Sequence, residues 1–312
     1  MKPIRVGVVG IGSMGRNHAR VCSELPQIEL AGIVDLDEAK VAPLAEQYGT
    51  KYYKDYQSLY GKIDGVVIVS PTPLHYQIAR DFLEHGIHVL VEKPITVEVE
   101  QAKRLVALAK EKNLILQVGH LERFNPAIIK LKEMVGTPVL IECHRLSGPT
   151  TRNLDVGIIW DLMIHDFDIL LSLYKSPAEE IHAMGTSVYS KFEDVAHVQI
   201  RFECGAVASL VASRNSGERK RCLKITENTG RVFSLDFINQ TLTISRPGSD
   251  GRPLEPEFVN IEKEEPLRLE LSNFADCVAN HKEPVVSGED GERALELAVH
   301  VLENMHRIKI AE

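Results

Sequence analysis

From the N-terminus to about residue 120, short runs rich in Val and Ile alternate with segments whose apolar residues recur every three or four positions. That alternation predicts strand–helix–strand units on a parallel sheet. It predicts strands near Ile4–Val9, Glu29–Val34, Asp64–Val69, His88–Val91 and Leu114–Val118, and helices near Met14–Glu24, Asp37–Gln47, Leu74–His85 and Val97–Lys112. The last helix carries Glu98 and Glu100 early and Lys110 and Lys112 late, the arrangement a helix dipole favours. Between Tyr48 and Tyr60 the pattern supports only a short strand and a short helix.

After Leu121 the texture changes. A helix is predicted at Pro126–Val135, an extended run at Val139–Ser147, and a strongly apolar helix at Ile159–Tyr174. Alternating runs follow at Glu180–Tyr189, Ala196–Phe202, Ala206–Ala212, Arg221–Thr226, Arg231–Asp236 and Gln240–Ser245. Short turns such as Glu203-Cys204-Gly205 and Asn228-Thr229-Gly230 join them, so they read as consecutive strands. Pro247, Pro253, Pro256 and Pro266 mark an exposed loop over Arg246–Pro266, and helices near Leu267–Asn280 and Gly288–Arg307 close the chain. Two domains are expected: an α/β domain over residues 1–121 with a doubly wound parallel sheet, and an α+β domain over residues 122–312 with an open, mostly antiparallel sheet.

Composition narrows the function classes. The chain has 312 residues, with 36 Lys+Arg against 44 Asp+Glu, hence 36 − 44 = −8. Phosphate neutralisation needs a basic surface, which argues against a nucleic-acid partner. At 44% hydrophobic and 26% charged, the chain is an ordinary globular one. Its most apolar long window, Val156–Leu173, carries Asp161, His165, Asp166 and Asp168, so it reads as a buried helix and not as a membrane span. The first residues read as a strand of the mature protein, without a signal peptide. Five widely spread cysteines with no Cys-x-x-Cys pair read as reduced thiols in a cytoplasm.

The residues Gly10-Ile11-Gly12-Ser13-Met14-Gly15 form a Gly-x-Gly-x-x-Gly between an apolar strand and a helix. Gly10 permits the tight turn, Gly12 a close approach to a pyrophosphate, and Gly15 close packing of helix on strand, with the helix N-terminus facing the anion. Asp35 ends the second strand, 20 residues beyond Gly15, where a carboxylate meets the adenosine ribose hydroxyls. It is followed by Leu36 and not by an Arg that could neutralise a 2′-phosphate, so the pattern favours NAD over NADP.

Ligands of such sheets lie beyond the carboxyl ends of the strands. The groups expected there are Gly10, Asp35, Ser70-Pro71-Thr72 with His75 shortly after, Glu92-Lys93-Pro94, and Gly119-His120. Lys93, held by the proline that follows, reads either as donor to a substrate hydroxyl or as half of a solvated ion pair with Glu92. On the apolar helix, Asp161 and His165 stand four apart, with Asp168 three further on. A carboxylate holding an imidazole suits a general base, and equally a mutually satisfied buried pair. A metal reading is weaker, because no ligand spacing of the His-Glu-x-x-His kind occurs.

Together, Gly10-x-Gly12-x-x-Gly15, Glu92-Lys93-Pro94 and Asp161-x-x-x-His165-Asp166-x-Asp168 resemble the glucose-fructose oxidoreductase / inositol dehydrogenase / MocA family over nearly the whole chain. The resemblance implies a Rossmann domain followed by an open-faced sheet domain that often mediates oligomerisation, here a homodimer or homotetramer. It implies nicotinamide-dependent oxidation or reduction of a sugar or cyclitol carbon, with Lys93, Asp161 and His165 as the catalytic group. Gly119-His120-Leu121-Glu122-Arg123-Phe124-Asn125-Pro126-Ala127 and Arg152-Asn153-Leu154-Asp155-Val156-Gly157 are similar to the branch that oxidises C3 of UDP-N-acetylglucosamine. That branch hands its ketone to an aminotransferase dependent on pyridoxal phosphate. A nucleotide-sugar diphosphate wants Arg forks or backbone donors, and Arg123, Arg145 and Arg152, with Asn125, are the expected contacts, the arginines equally readable as surface charges. The approach Val156-Gly157-Ile158-Ile159-Trp160 departs from the family's usual glycine-rich run. A dehydrogenase of a free sugar or cyclitol and a non-catalytic nicotinamide sensor are the alternatives.

Overall fold

A computed structural model of the chain describes residues 2–149, 156–174, 176–248, 252 and 254–308. It divides into two compact units, Met1–Phe124 with Glu265–Leu295, and Asn125–Glu264 with Glu296–Glu312.

The first unit contains β1 (Ile4–Val9), α1 (Ser13–Glu24), β2 (Ile28–Val34), α2 (Glu38–Gln47), β3 (Tyr52–Tyr53), β4 (Gly65–Ile68), α3 (His75–Glu84), β5 (His88–Glu92), α4 (Val99–Lys112) and β6 (Leu116–Gly119). Its six strands run parallel in the order β3-β2-β1-β4-β5-β6. The order reverses between β1 and β4, which makes the carboxyl ends of these two strands a ligand crevice. Val8 aligns with Ile33 of β2 and Val67 of β4. Val6, Val8, Val66 and Val67 are fully buried, as expected of a sheet covered on both faces. Local chemistry sets the element ends: Asp37 caps α2 by accepting from Lys40 N–H at 3.2 Å, and Asn113 closes α4 in the left-handed region.

The second unit begins with α5 (Pro126–Met134), capped by Asn125, and β7 (Pro138–Leu146). A π-helical turn (Ile159–Met163) leads into α6 (Ile164–Leu173). There follow β8 (Ala178–Thr186), β9 (Val195–Phe202), β10 (Val207–Ser213), β11 (Lys220–Glu227), β12 (Val232–Asp236), β13 (Thr241–Ser245) and β14 (Glu257–Phe258). Then α7 (Pro266–Asn280), α8 (Gly288–Glu303) and β15 (Met305–Arg307) complete the chain. The nine-stranded sheet has the order β14-β13-β12-β11-β7-β10-β9-β8-β15. One face, including Ile141, Cys143, Val198, Leu210 and Ile225, is buried in the same core as Ile159, Met163 and Phe167.

Five features differ from the sequence-based expectation. The boundary at 121/122 assigns residues 265–295 to the wrong unit, because α7 returns to the first core. There Leu267, Leu271 and Phe274 are buried with Val6, Val8 and Val67. In the second sheet, β10 and β11 are not hairpin neighbours: β7 lies between them, parallel to β10 and antiparallel to β11. The C-terminal helix stops at Glu303, and β15 pairs with β8, covering an edge that would otherwise carry unpaired amides. The expected helix at 159–174 begins with a π turn, and the expected loop at 246–266 contributes the short strand β14 to the sheet.

Because Phe274 is fully buried, replacing it with Ala should lower stability by about 3–5 kcal/mol. Urea unfolding would show this as a lower midpoint with an unchanged slope.

Candidate active site

The glycine loop joins β1 to α1. Gly10 has φ +91°, and a Cβ there would stand 2.7 Å from Ser70 N and Val69 O. A Cβ on Gly15 would collide with the Gly10 carbonyl. Around Gly12, by contrast, a Cβ would meet nothing within 4 Å. Gly12 is also the N-cap of α1, with no side-chain cap and no acid in the first turn, so the helix offers its first amides to an anion. A cleft of about 470 Å³ is lined here by Gly12, Ser13, Arg16, Asn17 and Lys40. Asp35 ties the loop to the end of β2: Ile11 N–H donates to its Oδ2 at 2.7 Å and Asp37 N–H to its Oδ1 at 3.1 Å. Leu36 is 86% exposed. Open space at Gly12, free amides and a fixed carboxylate at the second strand fit a dinucleotide diphosphate and ribose.

Beyond β4, the buried Ser70 Oγ has no partner among the described residues. His75, expected at the cofactor, is 1% exposed, with Nε2 2.8 Å from the Ser70 carbonyl and Nδ1 2.9 Å from the Pro94 carbonyl. It braces the two turns. Burial holds its pKa below the ordinary histidine range against the pull of those carbonyls, so the neutral ring has one N–H for two acceptors.

At the end of β5, Glu92 points back over β6, where Gly119 makes room: a Cβ there would lie 3.0 Å from Glu92 Oε2. Glu92 Oε1 lies 2.8 Å from His18 Nε2, and Oε2 accepts the Lys93 amide at 3.2 Å. Burial pushes the Glu92 pKa up, but the His18 hydrogen bond and the nearby Lys93 charge outweigh it and leave the carboxyl below its usual range. Glu92 is therefore engaged with His18 and the backbone, and not a solvated partner in a loop ion pair. The Lys93–Pro94 peptide is cis. His120 is fully buried, and desolvation with the charges of Arg123 and Lys93 lowers its pKa to about 3, so it is neutral.

In the second unit, Asp161 lies in the π turn, and the chain enters the helix register of His165 only afterwards. Such turns widen a helix locally and recur at functional sites. Asp161 and His165 are half-buried, whereas Asp166 and Asp168 are buried. Glu193 receives the start of this segment: its carbonyl accepts Ile158 N–H at 3.0 Å and its Oε1 accepts Ile159 N–H at 3.3 Å. A Cβ on Gly157 would collide with the Glu193 carboxyl, and Arg214 donates to the Val156 carbonyl at 2.8 Å. One glycine with a buried glutamate thus replaces the expected glycine-rich approach. Glu193 and Arg214 escaped the sequence reading because nothing local marks residues 34 and 58 positions away as partners of this segment.

The expected diphosphate contacts fare differently. Arg123 is 5% exposed and lies 3.1 Å from Asp290. Asn125 caps α5 and donates to the Phe237 carbonyl at 3.0 Å. Arg145 is 1% exposed, 2.8 Å from Asp166, with its guanidinium over the Phe237 ring. Each of the three has a partner within its own unit. Arg152 lies outside the described residues.

Comparison with known proteins agrees with both units. A family model described as "Oxidoreductase family, NAD-binding Rossmann fold" (GFO/IDH/MocA) matches residues 4–120, and one for the GFO/IDH/MocA C-terminal domain matches residues 133–233. A UDP-N-acetylglucosamine 3-dehydrogenase of Acidithiobacillus ferrooxidans is 34% identical over 96% of both chains. A solved structure of that enzyme superposes with TM-score 0.92, covering 98% of each chain. A myo-inositol 2-dehydrogenase of Thermotoga maritima is 29% identical over 99% of both chains, and a scyllo-inositol 2-dehydrogenase (NAD(+)) of Bacillus subtilis is 28% identical over 95% of this chain and 92% of its own.

Replacing Asp35 with Ser, which removes charge-assisted acceptors worth about 1.5–3 kcal/mol, should move the kcat/KM ratio of NADP⁺ to NAD⁺ upward by about 10- to 100-fold. Arg16 and Lys40, on the same cleft, would then meet a 2′-phosphate. Initial rates with each cofactor measure this.

Proposed function

The chain belongs to the GFO/IDH/MocA oxidoreductase family, with an NAD-binding Rossmann fold, and from that premise we propose that it oxidises the C3 hydroxyl of UDP-N-acetylglucosamine to the 3-keto sugar nucleotide. The observation that carries this reading is the end-to-end similarity, at 34% identity, to an enzyme of that name.

NAD⁺, once bound at the glycine loop, supplies the hydride acceptor. Gly10, Ile11, Gly12, Ser13, Met14 and Gly15 would hold its diphosphate, Asp35 and Leu36 would meet its adenosine ribose, and Ser70, Pro71 and Thr72 would border it with Glu92 and Lys93. In the reaction the C3 hydrogen leaves as hydride and the hydroxyl proton passes to His165, leaving a ketone. Asp161 orients His165 and supports the imidazolium that forms. Lys93 stabilises the alkoxide as it develops, and Glu92, through the Lys93 amide, orients the turn that carries it. Of the three arginines first considered, we assign Arg152 to the diphosphate, since Arg123 and Arg145 have partners in their own unit.

A 3-keto sugar is a substrate for transamination, which gives the product a consumer in an aminotransferase dependent on pyridoxal phosphate. We place the enzyme in the cytoplasm, in keeping with its five free thiols, and expect a homodimer or homotetramer formed through the open face of the nine-stranded sheet. No helix among the described residues is long and apolar enough to cross a membrane.

The test is absorbance of the reduced cofactor when the protein meets NAD⁺ and UDP-N-acetylglucosamine, with glutamate and an aminotransferase drawing off the ketone. Reduction only with the acetylated UDP-sugar supports the reading. Reduction with myo-inositol or a free hexose instead would sink the substrate assignment, and no reduction by any polyol would favour a sensor. Lys93→Met and His165→Asn should each reduce kcat by about 100-fold or more while the NAD⁺ dissociation constant, from titration calorimetry, changes less than about threefold.

A further inference from the structure

Beneath the turn that carries Lys93, side chains from three elements of the first unit converge: His18 of α1, Glu92 at the end of β5 and Glu270 of α7. One ligand-capable atom of each lies within 4.8 Å of the others. Glu92 has donors, His18 Nε2 at 2.8 Å and the Lys93 amide at 3.2 Å. Glu270 has none: it is 0% exposed, and neither carboxyl oxygen has a hydrogen-bond partner among the described residues. Only its backbone is engaged, the carbonyl accepting Gln117 Nε2 at 3.2 Å.

An ionised carboxylate buried without a donor costs several kcal/mol, and a second ionised carboxylate beside it adds repulsion. Two such groups around one imidazole therefore retain a proton between them, as in other close carboxyl pairs. The donors decide where it sits. Glu92, with an imidazole and an amide aimed at it, keeps the charge; Glu270, with neither, keeps the proton.

We propose that Glu270 is a positioning residue for hydride transfer, a buried carboxylic acid that shares one proton with Glu92 and thereby keeps Glu92 ionised against His18 and the amide of Lys93. Were Glu270 to ionise, its charge would drive the proton onto Glu92, weaken both contacts and loosen the Lys93 turn. The charged and titratable groups around the pair are His18 from α1 and Lys93 beyond β5, with His120, at the end of β6, sensing both Glu92 and Lys93. Burial, then the Glu92 charge, raise the Glu270 pKa well above its ordinary 4.5. The folded protein thus holds a proton that the unfolded chain releases near 4.5, and the stability this contributes is lost as pH rises through the folded pKa.

The proposal rests on the reading of Lys93 as the reacting lysine, but two of its readouts need no substrate. Infrared spectra of the full-length protein at neutral pH should contain a protonated-carboxyl C=O band that shifts in heavy water and is missing from Glu270→Gln. Urea unfolding across a pH series running upward from the ordinary glutamate pKa should show Glu270→Gln gaining on the wild type as pH rises. In turnover, Glu270→Gln, neutral, polar and of the same shape as the protonated acid, should stay within about threefold of wild type, whereas Glu270→Leu should lose about tenfold in kcat with unchanged NAD⁺ affinity. Absence of the band from the wild type would overturn the proposal. So would an equivalent of a divalent cation that chelation removes with loss of stability, since the cluster would then be a metal site. A band that holds while UDP-N-acetylglucosamine fails as substrate leaves the carboxyl pair standing and sinks only the substrate assignment.

Discussion

The Glu92 carboxylate is the constraint on which the rest of the first unit's site depends. It is half-buried at the end of a strand whose Val89, Leu90 and Val91 are fully buried, so its charge must be answered locally, and His18 and the Lys93 amide answer it. Several otherwise unrelated choices follow. Gly119 has to lack a Cβ for the carboxylate to lie over β6, and α1 has to present a histidine on its buried face. Lys93, one residue further on, inherits a backbone position set by packing and not by solvent.

The same economy explains why polar residues near the site divide into two groups. Polar groups with little exposure are bound into the fold: Arg123 to Asp290, Arg145 to Asp166, His75 to two backbone carbonyls. A buried guanidinium without a partner would be too costly, which is why the two arginines have carboxylates beside them. The amides that open α1 differ from these, since no side chain caps them and no acid stands in the first turn.

In the second unit the π turn is the corresponding device. It holds Asp161 in a widened segment whose amides are received by Glu193 from the strand side, with Gly157 making the approach possible. β7, threaded between β10 and β11, gives the sheet a central strand paired on both edges and brings Arg145 beside Asp166. β15 then closes the far edge against β8.

The sequence by itself determined whatever depends on neighbours a few residues apart. The alternation of apolar strands and amphipathic helices, the glycine loop with Asp35 at the second strand, the Glu-Lys-Pro turn and most strands of the second sheet are local patterns, and local sterics and burial periodicity write them directly into the chain. Only tertiary structure decided what joins residues far apart. The return of α7 to the first core, the insertion of β7, the capping of the π turn by Glu193, and the meeting of Glu270 with Glu92 all pair positions between about 35 and 270 residues apart. Burial of a common core selects such pairs, and no spacing in the sequence records them. For the same reason Arg123, Asn125 and Arg145 read as ligand contacts until packing assigned them partners within the protein.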